Sequence, residues 1–402
     1  MQMNKRSIFK LIILCLGFLL VIQQSKAFPL SPQAKISLIT VSPGAELYSM
    51  YGHSAIRVVD PVQDMDVVFN YGTFDFNTPN FYIKFIQGKL PYNLSAGYFQ
   101  QLLENSQEDN RSVYEQVLNL NLQEKQWVMD FLENNYLPEN RSYLYDFFYD
   151  NCATRIRDVF KKGLGNKLIY PQTPLDGPPT FRQLVGIYQA PHPWVDLGID
   201  LLMGLPADKV ASPTQMMFLP DFLMQGFDKS RVGGMAPFVQ SKQQLFKATA
   251  PPAEAPLLTP SFIFWVLLVV VVLVTILQIR QKAVSHALDI VLFSLTGLLG
   301  IILTFLWFGT DHQSFSQNLN ILWAFPLHLP VAFLLLKEKK STFIKTYFLV
   351  TAAILVLLAV SWKILPQEFH PSVLPLVLTL AIRGWYIAKG SKKVKSSTNP
   401  YK

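Results

Sequence analysis

Two residue types with reactive side chains stand out in this sequence because they are scarce. Cys152 lies in Tyr149-Asp-Asn-Cys-Ala-Thr-Arg155, and His53 lies in Tyr51-Gly-His-Ser-Ala-Ile-Arg57. The chain has two cysteines, and the other, Cys15, falls in the apolar core of an N-terminal leader. Once that leader is gone, Cys152 has no thiol to pair with inside the chain. A lone thiol in an exported protein is a candidate reactive group, although a free cysteine also packs well as a small core residue. Of six histidines, only His53 and His192 precede the apolar second half, and His192 is held between two prolines in a turn. His53 is therefore the natural base for the thiol.

The chemistry expected of this pair is nucleophilic. Asp150 and Asn151 stand where helix-capping residues belong. The helical spacing of Ile156, Val159 and Phe160 then puts Cys152 in the first turn. Free N–H groups and the positive helix end favour a thiolate there, drawing the thiol below its free pKa of about 8.5. The same N–H groups suit an oxyanion, and Arg155 and Arg157 add positive charge. A third group should orient the imidazole. Asn70, on the strand after His53, comes first by proximity; Tyr51, Glu46 and Asp150 are alternatives.

These residues need a scaffold. Residues 34–40 alternate in polarity as a strand does. Residues 54–59 and 67–71 read as a hairpin pair, and 90–96 and 114–122 as further strands. Residues 123–134 and 151–162 carry helical periodicity. The reading is an α+β domain, strands first, with the cysteine at a helix start.

The second half is different in kind. Apolar stretches at 262–279, 288–308, 321–336, 344–362 and 373–388 predict an all-α bundle of five transmembrane helices. Residues 1–27 read as a signal peptide, with Lys5, Arg6 and Lys10 before a short apolar core and Ser25-Lys-Ala27 as the cleavage site. The remaining divisions are a periplasmic domain at 28–248, a Pro/Ala-rich linker at 249–261, spans within 262–388 and a basic tail at 389–402. The formal net charge is +8, yet residues 28–258 hold 18 Lys and Arg against 23 Asp and Glu. Basic residues cluster instead after the first, third and fifth stretches, while 309–320 has none. Basic loops stay cytoplasmic, so the thiol domain and the loops 309–320 and 363–371 face outward. Multi-pass membrane insertion with a cytoplasmic tail follows. An acidic soluble domain also excludes a nucleic-acid face, and the scattered His and Cys residues lack a metal spacing. No cofactor motif is present.

In the outward loop, His312, Asn318 and Asn320 are candidates for holding lipid headgroups or aligning the thiol domain. Trp323 and His328 read as interfacial anchors. The apolar runs of 194–227 suggest a lid, a membrane-docking surface or plain core.

The order of strand histidine, neighbouring strand and Asn-Cys at a helix start resembles circularly permuted papain-like thiol enzymes of the NlpC/P60 and LRAT-like type. More specifically, 51–57, Asn70-Tyr-Gly72, 145–155 and 318–326 resemble the Lnb-type (DUF4105) family. That resemblance implies N-acylation of bacterial lipoproteins. An acyl chain would pass from a membrane phospholipid to the amino group of the lipoprotein's diacylglyceryl-cysteine, with Cys152 as nucleophile and His53 as base. The rival expectations are a membrane-anchored papain-like cysteine hydrolase, a peptidase or amidase acting on cell-wall peptides or lipids with the same two residues, and a non-enzymatic sensor or assembly factor.

Overall fold

The computed structural model describes residues 29–172, 178–249, 256–281, 285–337 and 341–390. The leader with Cys15, residues 250–255 of the linker and nearly all of the basic tail lie outside the described residues.

The first half is built on a seven-stranded antiparallel sheet. Its strands are β1 (Lys35–Val41), β2 (His53–Asp60), β3 (Met65–Thr73), β4 (Pro91–Tyr98), β5 (Val113–Leu118), β6 (Ser142–Leu144) and an edge strand, Val239–Phe246. The spatial order is edge strand, β5, β1, β2, β3, β4, β6. Side chains alternate between faces. Ile36, Leu38, Ile56, Val58, Phe69 and Tyr71 face the helix Cys152–Leu164. Ile39, Val41, Ala55 and Val68 face Phe99 at the start of the helix Phe99–Glu108. The expected hairpin is β2 paired with β3, with Ile56 opposite Phe69. The helix Leu122–Tyr136 starts on a full capping box from Asn121 and Glu124, which contributes about 1 kcal/mol. Short helices at Phe181–Gln189, Pro193–Leu202 and Pro220–Lys229 complete the domain.

The C-terminal region is helical. Among the described residues, three helices are long and apolar enough to cross a membrane: Pro260–Gln281, Ala287–Phe308 and Thr342–Val360. The expected third span is not one helix. It is broken into Leu319–Leu322, His328–Phe333 and Leu334–Leu336, the first and last of these 3-10 turns. Pro326 and Pro330 lack the amide donors that a continuous helix needs there. The expected fifth is the 17-residue helix Val373–Lys389, which buries Arg383 and packs between the first and fourth apolar helices. Trp323 and His328 are not interfacial anchors: both are buried, at 1% and 2% exposure, inside the helical core.

Candidate functional site

The cysteine helix is fixed at its start by Asn151. The Asn151 Oδ1 accepts from the N–H groups of Ala153 and Thr154, both at 2.9 Å. Thr154 Oγ1 accepts in return from the Asn151 N–H at 2.7 Å. Asn151 Nδ2 then donates to the carbonyls of Phe147 and Phe218, each at 2.8 Å. One buried side chain thus locks the helix start to two separate loops. The amphipathic helix presses Ala153, Ile156, Val159 and Phe160 onto the sheet. Cys152 leads it, 9% exposed.

His53 opens β2, and Asn70 lies near the end of β3. The His53 Nε2 donates to Asn70 Oδ1 at 3.1 Å, which leaves Nδ1 as the atom able to take a proton. The thiol of Cys152 lies beside the same ring, close enough for each group to shift the other's proton affinity. Burial pushes the Cys152 thiol up. The charge of His53 and the N–H groups of Ser54 and Ala153 outweigh this and leave the thiol below its ordinary value. Burial pushes the imidazole down, but the Cys152 charge and Asn70 raise it overall, against a smaller opposing push from Arg111. Both directions favour a thiolate–imidazolium pair.

Aromatic rings wall the pair. Gly72 has φ +87°, and a Cβ there would lie 3.6 Å from Tyr145 and 3.7 Å from the Cβ of Cys152. Those distances are ordinary contacts, so it is the left-handed backbone, which only glycine accepts without strain, that calls for glycine where β3 passes the thiol. Tyr145 stacks on Tyr92 with ring centroids 4.5 Å apart. Arg155 lies 3.5 Å over the ring of Tyr143. The hydroxyl of Tyr143 is buried without a hydrogen-bond partner, and burial and the nearby thiol both raise its pKa. Sequence reasoning assigned no role to Gly72, Tyr143, Tyr145 or Arg111. The wide cleft of about 720 Å³ beside Arg157, Lys161 and Tyr170 contains neither Cys152 nor His53.

The structure brings Cys152, His53 and Asn70 together and leaves the other candidates elsewhere. The Tyr51 hydroxyl accepts from Gln189 at 2.7 Å, and its ring packs on Phe147. Glu46 is exposed in the loop before Ser49. Asp150 is paired with Arg155 at 2.6 Å. None of the three orients His53: Tyr51 and Asp150 are spent on those partners, and Glu46 points to solvent.

Two family models match the chain. One, described as the Lnb N-terminal periplasmic domain, matches residues 30–185. The other, described as the Lnb transmembrane domain, matches residues 252–394. The chain belongs to the Lnb family. No curated protein and no solved structure matches it. The periplasmic match includes His53, Asn70 and Cys152, so the pair lies within the region that defines the family.

The membrane half is joined to the first half by more than the linker, through residues 196–208, which lie between the two matched regions. The Asn318 Nδ2 donates to the carbonyls of Leu201 and Leu202 at 2.8 and 3.0 Å. Asn320 Nδ2 reaches Leu201 at 3.2 Å, while its Oδ1 accepts from Trp323 at 2.8 Å. Gln367 Nε2 reaches Met203, and the Glu368 N–H donates to Asp208. Asp196 pairs with His370 at 3.2 Å. The loop after the Ala287–Phe308 helix and the loop before the Val373–Lys389 helix therefore grip one helix beyond the matched periplasmic region, Pro193–Leu202, and the turn after it. At Gly204 a Cβ would collide with the carbonyl of Ser316, so the approach needs glycine. Of the expected loop residues, Asn318 and Asn320 bond the end of the Pro193–Leu202 helix. His312 bonds the carbonyl of Phe85 at 3.1 Å. The 194–227 region is divided: Leu197 packs into the membrane cluster, while Met216 and Phe218 lie in the periplasmic core.

Proposed function

We propose that this Lnb family member is a thiol acyltransferase of lipoprotein biogenesis. The observation that carries the reading is the Cys152–His53–Asn70 cluster in a domain clamped onto membrane helices. The Cys152 thiolate attacks an ester carbonyl of a phospholipid. The carbon–oxygen bond breaks, the His53 imidazolium protonates the departing alkoxide, and a lysophospholipid leaves. The acyl group remains as a thioester on Cys152. The amine of a lipoprotein's diacylglyceryl-cysteine then attacks that thioester. His53 takes the amine proton, an amide forms and the thiol returns. Asn151 uses the Ala153 and Thr154 N–H groups for capping, so the N–H of Cys152 itself is the first-turn donor left for the oxyanion. Holding the thiol against the bilayer supplies both lipid substrates without diffusion through water.

The domain reads as a permuted papain-like fold, supported by the histidine strand preceding the cysteine helix in the chain. The chain crosses a bacterial inner membrane five times in this reading. Support comes from the outer loops: those ending the second apolar helix and preceding the Val373–Lys389 helix both contact the periplasmic domain. The segment between them must leave and return, and it does so as one broken and one continuous crossing. The tail after residue 389 is then cytoplasmic, as its lysines prefer.

The test expresses the gene in cells without their own lipoprotein N-acyltransferase. Mass spectrometry of a reporter lipoprotein's N-terminal peptide should show a third acyl chain with the wild type and two with Cys152→Ser. Two chains with well-expressed wild type would remove the transferase reading, and release of free fatty acid without a third chain would point to hydrolysis.

A further inference from the structure

Beyond the thiol cluster, the periplasmic domain exposes a compact apolar surface. Phe74, Phe76, Tyr82, Ile83, Phe85 and Ile86 all project outward, with Phe76 69% and Tyr82 74% exposed. They come from the segment leaving β3 and from the helix Phe81–Ile86. A soluble domain does not leave such a patch open without use. Lys84 lies on the same helix and Lys89 just beyond it.

Two contacts set the height of this surface. The N–H of Asp311 donates to the carbonyl of Gln87 at 2.9 Å, and the His312 ring bonds the carbonyl of Phe85 at 3.1 Å. Asp311 and His312 follow directly on the end of the apolar helix Ala287–Phe308. The patch is thus tied to the level at which that helix emerges. An amphipathic aromatic element with flanking lysines at that level matches the interface of a bilayer.

The patch is also continuous with the site. Phe76 meets Phe74 with centroids 5.1 Å apart, Phe74 meets Tyr92 at 5.4 Å, and Tyr92 stacks on Tyr145 at 4.5 Å. Tyr145 borders Gly72 beside Cys152. We infer that segment 74–86 is immersed in the outer leaflet, and that this aromatic seam is the route by which a phospholipid acyl chain reaches the thiol. The immersion stands on the contacts above; the acyl chain's fate rests on the transferase reading.

The test uses the full chain in phosphatidylglycerol–phosphatidylethanolamine vesicles. An environment-sensitive dye is attached at Ile83→Cys in a background of Cys15→Ala and Cys152→Ser. Its emission should be blue-shifted, quenched by lipids with a shallow nitroxide, and protected from aqueous iodide. The same dye at Met235→Cys, in an exposed turn, serves as the aqueous reference. Iodide access equal to that reference overturns the immersion. So does shielding without nitroxide quenching, the pattern a second protein copy would give. For the route, Phe76→Asp should lower acyl transfer from vesicle lipid about tenfold, by charging a surface meant for hydrocarbon. That rate is normalised to the amount of Cys152 that iodoacetamide alkylates. An unchanged normalised rate overturns the route. A wild type that transfers no acyl group would sink the transferase reading while leaving the quenching result intact.

Discussion

The periplasmic domain and the membrane half each bury a polar cluster, and the two clusters differ in how fully their groups are satisfied. In the membrane half, Arg383 gives Nε and Nη2 to Asp289, the latter at 2.9 Å, and Nη1 to Thr275 and Gln278 at 2.8 and 3.0 Å. His286 adds a contact to Asp289 at 2.8 Å. Arg383 and Asp289 are both fully buried. In the periplasmic domain, the thiol, the imidazole and Asn70 share few bonds, and the Tyr143 hydroxyl has no partner. A saturated network holds structure in place. An unsaturated one, with groups poised to exchange protons, has capacity left for a substrate. The location of a polar cluster in apolar surroundings therefore says less than its bookkeeping of donors and acceptors.

The comparison breaks most visibly at Cys152. Cys152→Ser removes the polarisable nucleophile but little volume. Acyl transfer should fall by about 10⁴-fold or more, while the melting temperature in detergent stays close to that of the wild type. A large loss of stability would mean that the thiol is core packing and that the unsaturated cluster has no chemical role. His53→Ala should cost about 10²- to 10⁴-fold in transfer and also move a titration. With His53 present the thiol sits below its ordinary value. Removing the imidazole leaves burial as the main influence, which raises the thiol. The midpoint of Cys152 alkylation by iodoacetamide, followed against pH, should therefore rise. A midpoint that stays put or falls contradicts the thiolate–imidazolium pair.

The membrane cluster should show the opposite profile. Asp289→Ala strands a buried guanidinium and should destabilise the helical region by about 3–5 kcal/mol. Adding Arg383→Met should restore much of that stability, because the pair is then replaced by apolar contact. Thermal unfolding of the single and double variants in detergent measures both. If the double variant is no better than the single one, the Arg383–Asp289 pair is not the unit of stability assumed here.

Legibility followed the same division. Cys152 and His53 could be found because their types are scarce and because Asp150-Asn151 marks a helix start in the chain itself. Asn70 stood among four options, since the contact from His53 depends on how β2 and β3 lie beside each other, which no local pattern encodes. Tyr143, on β6 at the sheet edge, and Tyr145, just after it, reach the thiol because the chain folds back between them and the cysteine helix. Strands β1 to β3 were legible from alternation. The edge strand Val239–Phe246 was not, because none of its positions is buried and there is no buried face to produce a period. In the membrane half, hydropathy marked the apolar runs but not the break around Pro326, before His328. Nor did it mark that Gln367 turns inward to bond the other domain, whereas Asn320 was already a candidate from the polar outward loop.

That last set supplies the mildest test. Asn320 serves both halves at once, through Leu201 on one side and Trp323 on the other. Asn320→Ala leaves the buried Trp323 N–H unpaired and should cost about 1–2 kcal/mol. Asn318 still bonds the Leu201 carbonyl at 2.8 Å, so the clamp loosens rather than opens. Amide hydrogen exchange in the Pro193–Leu202 helix should rise several-fold, in keeping with that cost. Acyl transfer from vesicle lipid should drop while iodoacetamide still alkylates Cys152 at the same pH midpoint, because His53 and Asn70 are untouched. Asn320→Asp keeps an oxygen for Trp323 and should recover part of the protection. If exchange in that helix is unchanged in Asn320→Ala, the loop residues fill space between the domains without clamping them, and the rigid placement of the thiol over the membrane needs another source.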